Sequence, residues 1–200
     1  MPFSNTEPFE VIAAPFRVYV APVGTAFPAV TVDESDIPTE WVLVGRSGDL
    51  NYDRGIGVQV QHSQTMAPWR SVGDAGVRKT FRTEEDLKIN IKLVDLRLEQ
   101  YQNAMNANTL TPGGSTVKMG LSRGFAVSTF AVLIRSDVSP YGDGLNMQYE
   151  IPRAAQTGNP TINLSKPGEP AGLDLEWSAL VDSDAASEDE RFGRVVCETT

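Results

Sequence analysis

Between Leu87 and Leu93 every second residue is apolar: Leu87, Ile89, Ile91 and Leu93 alternate with Lys88, Asn90 and Lys92. Successive side chains of a strand point to opposite faces, so this stretch must be a strand covering a core on one side only. The pattern recurs near the C-terminus, where Leu173, Leu175, Trp177, Ala179 and Val181 oppose Asp174, Glu176 and Ser178. Phe16, Val18 and Val20 alternate with Arg17 and Tyr19, Val58 and Val60 with Gln59 and Gln61, and Met147, Tyr149 and Ile151 with Gln148 and Glu150. Trp41 to Val44 is a continuous apolar run closed by Gly45, and Phe125 to Ile134 is apolar on both faces, which predicts a central strand. Val117 to Leu121 and Pro160 to Leu164 are weaker strand candidates.

After Leu93 the period lengthens to about 3.6. Val94, Leu98, Tyr101 and Met105 form one stripe, with Asp95, Arg97, Glu99, Gln100, Gln102 and Asn103 largely on the other side. This predicts one helix over about 94–106, packed on a sheet and ended by Asn106 to Thr109 and Pro112-Gly113-Gly114. The remaining Gly and Pro residues, 17 and 13 in number, punctuate many short elements, as in a mainly β chain. Ala67 to Gly76, with Pro68, Trp69 and Gly73, reads as a mobile arm, and Asp182 to Glu190 as an acidic stretch of small residues. The pattern holds no internal repeat and no domain linker, so the 200 residues read as one domain.

A hydrophobic content of 40% and a charged content of 22% suit a folded chain. The net charge of −9 repels nucleic acid from most of the surface. Cys197 is the only cysteine, which rules out an intrachain disulfide, and His62 is the only histidine. Catalytic pairs of histidines and most zinc sites are thereby excluded. Gly55-Ile56-Gly57 lacks the lysine of a phosphate loop. Asp182-Ser183-Asp184 with Ser187 to Glu190 lacks the glycine of an EF-hand loop and reads as solvated. No Gly-x-Ser-x-Gly elbow occurs. Carboxylates are plentiful, but spacing marks none as an acid–base pair. The chain reads as a non-enzyme without cofactor or metal. Met1 to Glu7 shows no basic flank or long apolar run, so no signal peptide is read; nowhere do about 18 consecutive apolar residues occur, so no membrane-spanning helix is read.

The order of elements resembles a known family. A strand ends in Ala21-Pro22-Val23-Gly24-Thr25. Trp41-Val42-Leu43-Val44-Gly45 and Ser47-Gly48-Asp49-Leu50 follow, then the arm around Trp69. Arg78-Lys79-Thr80-Phe81-Arg82-Thr83-Glu84-Glu85 leads into the strand Leu87 to Leu93 and the helix. Asn163-Leu164 and Leu175-Glu176-Trp177-Ser178-Ala179-Leu180-Val181-Asp182 close the series. Over roughly residues 9 to 182 the chain resembles the tail tube (major tail) proteins of long-tailed, non-contractile bacteriophages. Met119 to Gly144 departs furthest from that pattern.

The resemblance implies a β-sandwich or partly closed β-barrel with one flanking α-helix and a long loop or hairpin arm, here about 61–76. It implies six-membered rings stacked into a hollow tube, assembled in the host cytoplasm and carried in the virion tail. Partners would be further copies of the chain, a tape measure protein and genomic DNA in the lumen, and tail terminator and tail tip proteins, with no membrane binding. Met66, Pro68 and Trp69 are the expected inter-ring contact, since aromatic side chains anchor interfaces. Glu150, Asp174 and Glu176, read as lying on polar strand faces, are the expected lumen lining. Lys88 and Lys92 are placed on another polar face, toward solvent or a neighbouring subunit. The segment 182–200 is expected to be flexible. Alternatives are another virion part, such as a connector, baseplate or head decoration protein, and a carbohydrate-binding β-sandwich using Trp41, Trp69 or Trp177 as a stacking platform.

Overall fold

A computed structural model describes residues 16–46, 48–142, 144–162, 164 and 171–199. The N-terminal stretch Met1 to Glu7, Ser47, Asn163 and the turn at 166–170 lie outside the described residues.

The chain is mainly β with one helix, and its large antiparallel sheet is not closed into a barrel. The strands are β1 (Arg17–Pro22), β2 (Val42–Leu43), β3 (Val58–Trp69), β4 (Lys79–Leu93), β5 (Leu110–Gly113), β6 (Thr116–Met119), β7 (Thr129–Ser136), β8 (Met147–Gln156), β9 (Leu173–Ala179) and β10 (Arg194–Cys197). The helix α1 spans Leu98–Ala104. The main sheet runs β2-β1-β7-β8-β9-β4-β3, with β10 beside β8, and β5-β6 form a separate hairpin.

The sheet folds over onto its own apolar face. Val18 of β1, Val132 and Ile134 of β7 and Ile151 of β8 share one core with Leu87, Ile89, Ile91 and Leu93 of β4 and Leu173, Leu175 and Trp177 of β9. The alternation that defines β4 and β9 is therefore what joins the two layers. Tyr52 ties them: its hydroxyl accepts the Val18 N–H at 2.9 Å and donates to the Val44 carbonyl at 3.0 Å, while its backbone bridges to Leu93 of β4.

β8 changes neighbour along its length. Met147 to Glu150 pair with β10, and Ala154 to Gln156 pair with β9. Pro152, which has no N–H to donate, falls at the step between them. The C-terminal segment is thus no loose appendage: β10 fills the part of the β8 edge that β9 leaves open. Gly193 makes this approach possible, because it adopts φ +117° and a Cβ there would stand 2.1 Å from the Glu150 carbonyl.

β7 is central, as its two apolar faces predict, but the strand begins at Thr129, and Phe125 and Val127 are exposed. One face meets the main core; the other meets Tyr19, Ala21 and Trp41 beneath the loop 23–41. That loop is hooked down by polar side chains. Arg135 donates to the Val30 and Val32 carbonyls, Gln148 to the Pro28 carbonyl at 2.8 Å, and the Trp41 indole to the Ala26 carbonyl at 3.1 Å.

The helix is shorter than its apolar stripe predicts. The Asp95 carboxylate accepts the Arg97 N–H at 3.0 Å and turns the chain before Leu98, leaving Val94 outside the helix. Gln100, read as polar-faced, is buried, because its Oε1 accepts the Gly45 N–H at 2.8 Å. No helix among the described residues is long and apolar enough to cross a membrane.

Candidate interaction surface

β3 and β4 pair over twelve registered positions, from Val58↔Ile91 to Trp69↔Lys79. Only the inner part covers the core. From Gln64 to Trp69 and from Lys79 to Glu84 every residue is exposed, so this hairpin projects beyond the body with both faces in solvent. The sequence-expected arm, 61–76, is the outer part of this longer element. The run Arg78 to Glu85, read only as a lead-in, supplies its return strand from Lys79 onward.

Local bonds stiffen the projection. A register shift between Thr65 and Met66 marks where it leaves the body. Beside it the Thr65 hydroxyl donates to Glu84 at 3.0 Å, the Thr83 hydroxyl to the Thr65 carbonyl at 3.1 Å, and Arg82 to Gln64 at 3.0 Å. At the tip Asp74 accepts the Gly76 N–H at 2.9 Å and pairs with Arg78 at 2.8 Å, and the Arg78 N–H returns to the Trp69 carbonyl at 3.0 Å. The Arg78 guanidinium, then the Gly76 N–H, hold the Asp74 carboxyl below its ordinary range.

Registered pairs share a face. Ala67 opposes Phe81 and Trp69 opposes Lys79, so one face carries Ala67, Trp69, Lys79 and Phe81, with the Lys79 ammonium 4.9 Å from the Phe81 ring centre. Met66 and Pro68, opposite Arg82 and Thr80, lie on the other face. The expected trio of Met66, Pro68 and Trp69 is therefore split, and the aromatic companion of the half-exposed Trp69 is Phe81, which sequence spacing does not reveal.

The polar faces of β4 and β9 are one surface. Asn90 registers with Glu176 and Lys92 with Asp174, which corrects the placement of Lys88 and Lys92 on a face of their own. The Lys88 ammonium lies 3.1 Å from Glu176, and Lys92 lies 3.7 Å from Asp53. Asp53 is held below its ordinary range by the Gly55 N–H first, against a small burial penalty, with help from the Ile56 N–H and Lys92. Gln59, Asn90, Lys92, Asp174 and Glu176 line a shallow groove of about 270 Å³ on this surface. Lys92 stands there against Asp174 and Glu176, with Lys88 beside Glu176.

Glu150 is not on that surface, which corrects its reading as a solvent-facing carboxylate. It is buried, accepts from Gln148 at 2.6 Å and pairs with Arg194 of β10 at 2.7 Å. The Glu150 hydrogen bond raises the Arg194 pKa further. Trp41 and Trp177 are buried in the two cores, leaving Trp69 as the one exposed tryptophan of the three read as sugar platforms. His62 is exposed on β3, and Cys197 is half-buried on β10, where burial pushes its thiol up. Among the described residues no group of three His, Cys, Asp or Glu side chains is placed to hold a metal ion.

Among the described residues the outer edge of β3 pairs with no strand, and the other end of the sheet is β2, two residues long. Fold and surface define a class: a single-sheet β-sandwich with a projecting hairpin and open edges. No protein-family model matches the chain, and no curated protein matches it.

Proposed function

We propose that this chain is a structural, non-catalytic subunit that polymerises with copies of itself, and that the polymer is the tail tube of a long-tailed bacteriophage. Six subunits close a ring by joining sheet edges, rings stack through the hairpin, and the hollow product conducts DNA from virion to host. The observation that carries this reading is the β3–β4 hairpin. A two-stranded ribbon with both faces in water is marginal by itself, and an unpaired strand edge invites another chain. Trp69 and Phe81 at its end are apolar surface that a neighbouring subunit would cover.

The charge-paired face of β4 and β9 supports a modified view of the bore. Asp174 and Glu176 remain the lining candidates, but beside Lys88 and Lys92 they form a compensated surface. Such a surface leaves no cluster of free cations to hold phosphates, so DNA slides without counterion-release binding. The tape measure protein would occupy the same bore before DNA, and terminator and tip proteins would cap the ends of the tube.

Sedimentation velocity over a rising concentration series tests the reading. Rings and larger polymers are the expected species. A monomer at every concentration would overturn it.

A further inference from the structure

The hairpin end differs in charge from the rest of the molecule. Residues 66–82 carry Arg70, Arg78, Lys79 and Arg82 against the single carboxylate Asp74, in a chain of net charge −9. Asp74 is already committed to Arg78, while Lys79 lies against Phe81 and Arg70 is exposed. The end therefore presents two aromatic rings, Trp69 and Phe81, among cations.

A surface of the opposite character lies elsewhere on the chain. Residues 182–190 carry five carboxylates and no lysine or arginine. They form an ordered turn, not a tail: the Asp182 N–H donates to the Arg191 carbonyl at 2.8 Å and the Gly193 N–H to the Glu190 carbonyl at 2.8 Å. Between this turn and β8 runs a groove of about 190 Å³. Phe27, Pro152, Ala185 and Ala186 give it an apolar floor, and Asp182 and Glu190 stand at its rim with Glu150 and Arg194, which pairs with Glu150 at 2.7 Å and with Glu190 at 3.7 Å, so the carboxylates outnumber the one cation. An apolar floor with an acidic rim is the complement of an aromatic ring flanked by cations.

The two surfaces of one chain cannot meet. Arg191, at the end of the acidic turn, pairs with Glu85 of β4 at 2.9 Å, so the turn sits at the hairpin base. Lys79 is six residues further along the strand, roughly 20 Å away at the rise of a β-strand. The hairpin end and its complementary groove lie at opposite ends of one stiff element, and a contact between them must join two copies head to tail. Such a heterologous contact closes into a ring if its rotation closes and otherwise runs on as a filament, which is what a stack of rings requires.

We infer that the hairpin end of one copy docks in the groove beside the acidic turn of another, with Trp69 or Phe81 on the Phe27–Pro152 floor and Arg70 and Lys79 against Asp182 and Glu190. This names the receptor for the contact between rings and rests on the self-assembly reading above. A basic, aromatic ribbon also suits single-stranded nucleic acid, but the acidic remainder of the chain and the matching groove favour a second copy.

The test uses the full chain in two forms. A photo-cross-linking residue at position 69 should join two copies, with the adduct mapping to residues 182–194 or to Phe27 or Pro152. In parallel, the reversals R70E/K79E and D182K/E190K should each weaken association at low salt by about ten-fold or more, and the fourfold variant should regain most of that loss. Adducts mapping elsewhere on a second copy, adducts to nucleic acid, or a folded D182K/E190K variant that associates like wild type would overturn the inference. Tubes that form while cross-links map elsewhere remove this contact and leave the tube reading standing. Cross-links at the groove in a protein that makes no tube support the contact and remove the tube.

Discussion

The Lys88 ammonium lies 3.1 Å from the Glu176 carboxylate, across the seam where β4 and β9 pair. Two side chains 88 positions apart thereby neutralise each other on the one polar face of the sheet that sequence alone divides in two. Both ends are part-exposed, so the pair contributes under about 1 kcal/mol. Its importance is to the field above the sheet. The D174K/E176K double variant should fold and assemble as wild type does but set four cations side by side. Assembled protein carrying it should retain DNA at low salt and release it as salt rises, measured by co-sedimentation. Equal DNA retention by wild type and variant would remove this face from the bore.

The hairpin register specifies how to trim the projection without cutting one strand. Thr65 opposes Glu84, so replacing residues 66–83 by Asn-Gly leaves a two-residue hairpin loop. The excised part has no core beneath it. The trimmed chain should melt within a few degrees of wild type, yet form no filaments at concentrations where wild type does. Filaments of normal length from the trimmed chain would exclude the hairpin as the stacking contact.

Trp177 is fully buried, 5.0 Å from the Phe130 ring, and among the described residues its indole N–H has no hydrogen-bond partner. Trp177→Phe loses packing but also an unsatisfied donor, so it should cost under about 2 kcal/mol, whereas Trp177→Ala should cost about 3–5 kcal/mol. Urea unfolding followed by circular dichroism distinguishes the two.

Gly193 controls the attachment of β10. An alanine there meets the Glu150 carbonyl and is strained at φ +117°. Gly193→Ala should lift β10 from β8, break the Arg194–Glu150 pair and expose Cys197. Thiol labelling of Cys197 under native conditions should then accelerate markedly, with β1, β7 and β9 still protected from hydrogen exchange.

Tyr19 predicts an alkaline limit. Burial first, then the Glu34 charge and hydrogen bond, push its pKa up from 10.0 to about 12. A folded-state pKa above the unfolded one contributes stability that is complete below pH 10.0 and is lost as pH rises toward about 12. Tyr19 should therefore ionise late in the native protein, and stability should fall across that interval. Tyr19→Phe should flatten the fall, as read by tyrosinate absorbance and denaturant midpoints.

What was legible in the sequence follows from what each residue answers to. Leu87 to Leu93 and Leu173 to Ala179 answer to one core, and their alternation marks strand, face and burial together. The outer hairpin answers to no core, so Gln64 to Trp69 and Lys79 to Glu84 carry no period, and their pairing is invisible before the register is known. Glu150 was misread because a polar residue in an alternating strand normally faces water; its burial depends on Arg194, supplied by β10 from 44 positions away. Gln100 is the same case, drawn inward by the Gly45 N–H. Chemistry that joins distant segments leaves no trace in local spacing.

In the proposed reading this subunit completes itself with copies of its own chain. Negative-stain electron microscopy of the purified, concentrated protein is the decisive experiment. Rings and straight hollow tubes of constant diameter, with a stain-filled bore, are expected. A uniform field of single particles the size of one chain, unchanged by concentration, would contradict it.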